Sequence, residues 1–171
     1  SCPNAFGGQP FTDPGSLEEL LSLIDRVPYE KPIFVKLSPD LTFAEIDRLI
    51  EVVGRHRVQG FICTNLTKKR EGLKILDENV PAQGGISGKV VSEMATAMIR
   101  HVYRKAGGKY VIIGSGGVFT AEDAYAKIKA GASLLQLITG MIFRGPQVVS
   151  EINEGLVRLL ARDGFKHIGE A

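Results

Sequence analysis

Four times along the chain a short run rich in β-branched residues is followed by a stretch with apolar residues at helical spacing. This alternation limits the fold more tightly than anything else in the sequence. The runs lie at 32–37, 60–65, 110–113 and 134–137. Behind the first come Ile46, Leu49, Ile50 and Val53, and behind the second Val90, Val91, Met94, Met98, Ile99 and Val102. A helical pattern from Thr120 through Ala130 follows the third run. Val149, Ile152, Leu156, Leu159 and Leu160 follow the fourth. One further helical stripe, Leu20, Leu21, Ile24 and Val27, precedes them all. Capping boxes at Ser16–Glu19 and Thr42–Glu45 mark helix starts, and Gly54 and Gly107 mark stops. Pro146 suits a helix N-terminus. Repeated strand–helix units require a parallel sheet, either doubly wound or closed as a (β/α)8 barrel.

Two features favour an α/β fold of the TIM-barrel type. Polar residues capable of chemistry stand at the ends of successive strands: Lys36, Asn65, Gly116-Gly117 and Thr139. Glycine-rich signals follow the last two strands, where barrels often hold phosphate. The length conflicts with a whole barrel, which takes eight strands and about 250 residues. The 171 residues hold four strand–helix units and open at Ser1-Cys2-Pro3-Asn4, which reads as the loop just after a strand. Residues 1–171 are therefore expected to be the C-terminal half of a single barrel domain, with the first half supplied elsewhere. Such a half would expose two sheet edges and would not be stable alone. An open α/β sheet, complete as it stands, is the alternative.

Composition excludes several classes. The most apolar stretch, 131–143, is interrupted by Ser133, Gln136 and Thr139, so it does not read as a membrane span. A net charge of +2 is too weak and scattered for a nucleic-acid binder. Two cysteines, Cys2 and Cys63, make neither a disulfide framework nor a cysteine-based zinc site, which points to a reducing, intracellular setting.

The strongest general signal is a pair of loops, Gly114-Ser115-Gly116-Gly117-Val118 and the stretch from Gly131 to Gly140. Consecutive free amides at a helix N-terminus bind anions, and two such loops after adjacent strands can clasp one phosphate. The first loop lacks the acidic partner of a dinucleotide fingerprint. Lys36 interrupts an apolar strand, so it either answers negative charge on a ligand or snorkels from a strand end. Asn65 and Asn4 are either amides for a planar ligand or turn residues. Cys2 is either a base or nucleophile or an inert thiol, and Cys63 reads as inert. His56, His101 and His167 read as structural or solvent-facing. Lys68-Lys69-Arg70 reads as a solvated loop that could reach an acidic substrate.

In six ordered motifs the chain resembles the C-terminal half of the dihydroorotate dehydrogenases, flavin enzymes of pyrimidine synthesis. These are Ser-Cys-Pro-Asn at 1–4, Val-Lys-Leu-Ser-Pro-Asp at 35–40, Thr-Asn-Leu-Thr at 64–67, Gly-Gly-Ile-Ser-Gly at 84–88, Ile-Gly-Ser-Gly-Gly-Val at 113–118 and Gly-Ala-Ser-Leu-Leu-Gln-Leu-Ile-Thr at 131–139. The resemblance implies a TIM barrel with FMN at its C-terminal mouth. Lys36, Thr64, Ser87 and Gly88 match flavin-contacting positions, and Gly116, Gly117, Ile138, Thr139 and Gly140 match the phosphate cradle. Many relatives have an aromatic residue where Ile138 stands. Asn4 and Asn65 match asparagines that grip the substrate, and Leu66 stands where relatives often have threonine or serine.

Cys2 falls at the catalytic base, which takes a proton from C5 of dihydroorotate while hydride leaves C6 for FMN, giving orotate. Soluble class 1 enzymes use cysteine there, and membrane-associated, quinone-reducing class 2 enzymes use serine. The remaining motifs look like class 2. The longer match favours a quinone-dependent enzyme with a cysteine base, cytoplasmic or peripheral on the inner membrane face through an N-terminal part. The rivals are a class 1 enzyme using fumarate or NAD, another FMN barrel oxidoreductase such as a dihydropyrimidine dehydrogenase domain, and a non-enzymatic phosphate-ligand binding module.

Overall fold

The structure is a computed structural model that describes residues 10–76 and 78–171. Its elements are α1 (Pro14–Asp25), β1 (Phe34–Leu37), α2 (Phe43–Val53), β2 (Gly60–Cys63), α3 (Ser92–Ala106), β3 (Val111–Ser115), α4 (Ala121–Lys129), β4 (Leu134–Gln136), α5 (Thr139–Arg144) and α6 (Val148–Asp163). Single 3-10 turns lie at Pro10–Thr12, Lys89–Val91 and Ile168–Glu170. The strands pair in parallel in the order β1-β2-β3-β4. Doubly wound sheets reverse their strand order at a switch point. This one does not reverse, so it winds as consecutive units of a barrel do.

Alternation along the strands separates two faces. Leu37, Phe61, Cys63 and Ile112 point to one side and join Leu17 and Leu21 of α1, Ile46, Leu49 and Val53 of α2, and Met98, Ile99 and Val102 of α3 in the main core. The other face carries the register-matched series Lys36, Ile62, Ile113 and Leu134. A second cluster, Val118, Ala124, Val148 and Ile152, seats α6 against α4. Among the described residues β1 and β4 each have one strand neighbour, leaving two edges open. Leu134, Ile138, Ile142 and Phe143 lie exposed beside the β4 edge, the last two at 71% and 78%.

Most boundary signals are realised. Thr42 and Glu45 form their capping box, and Thr120 forms another with Asp123. Gly107 ends α3 in the left-handed conformation. The start of α1 differs from the sequence expectation: Asp13, not Ser16, is the N-cap, with Pro14 in the first turn and Ser16 N donating to Asp13 Oδ2 at 2.8 Å. Proline needs no amide partner there, so the Asp-Pro pair outcompetes the serine. The six-residue α5 was not expected, because its apolar residues face outward and give no amphipathic period.

The histidines are structural or solvent-facing, as expected. His56 has Nδ1 2.8 Å from Asp25 Oδ2 and Nε2 3.0 Å from Glu18 Oε1, tying the end of α2 to α1. His101 bonds Asp47 at 2.7 Å and stacks on Phe43. His167 pairs with Glu170 in the C-terminal turn.

Candidate active site

All four strands end on one cleft, at their carboxyl ends. Lys36 lies one residue before the end of β1, exposed on the face opposite the main core. Thr64, Asn65 and Leu66 follow β2 directly, and Ser87 and Gly88 return to the same cleft after the long loop. Gly116 and Gly117 follow β3, while Ile138, Thr139 and Gly140 join β4 to α5. Every site residue nominated from the sequence within the described part of the chain thus lines one cavity. Cys2 and Asn4 lie outside the described residues.

Backbone bonds hold the turn after β2 against its neighbours. Thr64 N donates to Ser115 O at 2.8 Å and Asn65 N to Leu37 O at 2.9 Å, linking it to β3 and β1. Asn65 Oδ1 accepts the amide of Leu66 at 2.9 Å, a local side-chain turn. The buried Thr64 hydroxyl donates to Asn65 O at 2.8 Å, so it is turned to its own backbone. Ser87 Oγ and Thr139 Oγ1 meet at 3.0 Å and bring together residues 52 positions apart.

The two glycine-rich loops are in backbone contact. A Cβ on Gly140 would fall 2.2 Å from Val118 O, and one on Gly117 (φ +71°) 2.5 Å from Ser92 Cβ. Only glycine permits this approach, which sets the backbone after β3 beside the first turn of α5. The first-turn amides of a helix have no carbonyl partner inside it, so those of Thr139 and Gly140 are available to an anion. Lys36 is the only ionisable side chain among the described lining residues. The arrangement suits a ligand with a phosphate at one end and a charge-accepting ring at the other, and the residues present fit FMN.

The sequence reading missed Val91, Ser115, Val118 and Leu137, which also line the cleft. Ser115 stood within the glycine loop and could have been nominated, but Val91 looks like any core residue of a helical stripe. Cys63 is buried, and that burial pushes its thiol up to about 12, so it is not a nucleophile at neutral pH. At about 180 Å³ the cleft is smaller than the roughly 300–1,000 Å³ of a complete ligand pocket.

The family model for dihydroorotate dehydrogenase matches residues 1–160. The chain belongs to the dihydroorotate dehydrogenase family. It is 43% identical over 178 residues to a dihydroorotate dehydrogenase (quinone) of Synechocystis sp., covering all of this chain and 47% of that protein. It is 44% identical to one of Crocosphaera subtropica with the same coverage. Two crystal structures of DHODH from Eimeria tenella, in complex with ferulenol and ligand-free, match with TM-scores of 0.89 and 0.90 at 29% identity. They cover 100% and 99% of this chain and 51% and 52% of their own. The chain therefore spans about half the length of the dihydroorotate dehydrogenases it matches, and corresponds to the C-terminal part of the curated relatives. Its fold is that part of their TIM barrel. Among the described residues no helix is long and apolar enough to cross a membrane.

Proposed function

We propose that this chain supplies the C-terminal half of an FMN-binding barrel domain that oxidises (S)-dihydroorotate to orotate and passes the electrons to a quinone. The observation that carries this reading is the cleft at the strand ends, in which Lys36 is the sole ionisable side chain among the described residues and two glycine loops touch. The quinone acceptor is carried over from the printed names of the relatives. Contact with a membrane surface would be made by the polypeptide that completes the barrel.

When bound, FMN supplies the acceptor for the hydride that leaves C6 of the substrate. The amides of Gly116, Gly117, Thr139 and Gly140 would hold its phosphate, a task of backbone donors that leaves Ile138 free to replace an aromatic residue. Lys36 would answer negative charge on the ring, and Ser87 and Gly88 would pack beside it. Asn65 would orient the substrate through its amide, and Leu66 would add an apolar wall. The Cys2 thiolate would take the C5 proton and Asn4 would bind substrate. A thiol, with an ordinary pKa near 8.5, deprotonates far more readily than a hydroxyl.

The test is spectroscopic, on the protein assembled with the polypeptide that completes its barrel. It is expected to be yellow, to bleach anaerobically with dihydroorotate and to recover its colour with a quinone. Absence of flavin absorbance, or no bleaching, overturns the reading. Cys2 also fits a class 1 enzyme, for which fumarate or NAD would restore the colour instead.

A further inference from the structure

The loop between β2 and α3 reaches the cleft only at its two ends. Leu66 and Ser87 line the cavity, and no described residue from 68 to 85 does. Just inside those ends the chain is stitched to itself, with Thr67 N donating to Ile86 O at 3.0 Å and Ile86 N to Thr67 O at 2.8 Å. Thr67 is fully buried. Its hydroxyl accepts the Lys69 amide at 3.0 Å and donates to Asp40 Oδ1. The second oxygen of Asp40 accepts the Lys68 amide at 2.8 Å. On the outer side Arg70 donates to the carbonyl oxygens of Lys68, Pro81 and Gly84 at 2.6–3.0 Å, closing the neck.

Asp40 lies between β1 and α2, three positions beyond the last residue of β1. Its carboxylate spends both oxygens on the root of a loop that belongs to the next strand. Charge-assisted bonds to a carboxylate are stronger than neutral ones, and two of them at one root fix its position as well as its presence. Because Thr67 and Ile86 sit directly beside Leu66 and Ser87, any slip at the root moves two walls of the cleft together.

We propose that Asp40, acting through the Thr67 hydroxyl, is a positioning residue of this site: it locks the loop root so that Leu66 and the Ser87-Gly88 pair face the ligand. The effect on ligand affinity rests on the function proposed above, whereas the effect on the loop does not. The experiment uses the assembled protein and the variants Asp40→Ala, Thr67→Val and Thr67→Ser. Tryptic cleavage at Lys68-Lys69-Arg70 reads the root, and equilibrium titration with FMN reads the cleft.

Asp40→Ala and Thr67→Val are expected to speed cleavage and weaken FMN binding, each on the order of tenfold for loss of a charge-assisted bond. Thr67→Ser, which keeps the hydroxyl, is expected to match the parent in both. If Val matches the parent and Ser does not, Thr67 acts through its methyl group and the proposal is wrong. Faster cleavage with unchanged FMN affinity also overturns the positioning role, as does unchanged cleavage in both Asp40→Ala and Thr67→Val. A parent protein that binds no FMN sinks the proposed function, while the tryptic series and its Ser–Val contrast still decide the anchor.

Discussion

Lys127, fully buried on α4, donates its ammonium to Ser92 O at 3.2 Å and to Thr96 Oγ1 at 3.0 Å. Ser92 is also the residue against which Gly117 lies so closely that a Cβ would come within 2.5 Å. A buried cation therefore braces, from behind, the helix start on which the glycine loop of the cleft rests.

Burial makes that charge costly and pulls the Lys127 pKa from 10.5 down to about 8. Between those values the unfolded chain binds a proton that the folded chain does not, so this lysine makes stability rise with pH across the window. Lys127→Met is expected to remove that contribution, flattening the curve between its two ends in urea unfolding. An unchanged slope would count against the buried ammonium. Lys127→Ala, which leaves a cavity, is expected to cost about 2–5 kcal/mol.

Two glycines with similar backbones should respond differently to alanine. Gly107 (φ +59°) has nothing within 4 Å of an added Cβ, so Gly107→Ala is expected to cost only the left-handed strain, about 1–2 kcal/mol. Gly117→Ala adds a clash with both Ser92 Cβ and Ser92 Cα and is expected to cost about 2–5 kcal/mol, the strain plus overpacking. Denaturant midpoints compare them directly, and equal losses would mean that the loop does not press on Ser92.

Asp163, at the end of α6, bonds Arg162 Nε at 2.7 Å and accepts the Tyr125 hydroxyl at 2.9 Å. These bonds, that of Arg162 first, hold its pKa at about 2 instead of 3.8. The stabilisation is complete above the higher value and is lost as pH falls through the lower one. Asp163→Asn is expected to remove this part of the acid destabilisation, visible in thermal melts recorded down that range. Parallel melting curves for parent and variant would refute it.

Lys36 is exposed, so Lys36→Ala is expected to change stability by no more than about 0.5 kcal/mol while FMN binding weakens. A variant that binds and reduces FMN as the parent does would remove Lys36 from the site.

Cys63 should resist alkylation at neutral pH until the protein is unfolded, because burial holds its thiol near 12. In Cys2→Ser it is the one cysteine left within residues 1–171, so its labelling is read on the peptide that carries it. Rapid labelling of the folded variant would contradict the burial.

Lys36, Asn65, Gly116-Gly117 and Thr139 line one cleft because a parallel strand must end where its loop begins, so polar residues after apolar runs converge at one end of the sheet. The α1 cap and α5 were misread or missed for a local reason. Asp13-Pro14 competes with Ser16 for the same turn, and a six-residue helix with its apolar side outward has no period to detect.

Read alone, the amino-acid order determined the repeat of strand and helix, the positions of most caps and most of the described residues that line the cleft. Periodicity and glycine placement are local properties that survive without knowledge of neighbours. Only the tertiary structure decided that Asp40 reaches across to Thr67, that Lys127 is buried beneath Ser92, and that Gly140 touches Val118. Those contacts join residues from different strand–helix units. Their energies depend on which partner packing brings within hydrogen-bond reach, and spacing along the chain does not encode that.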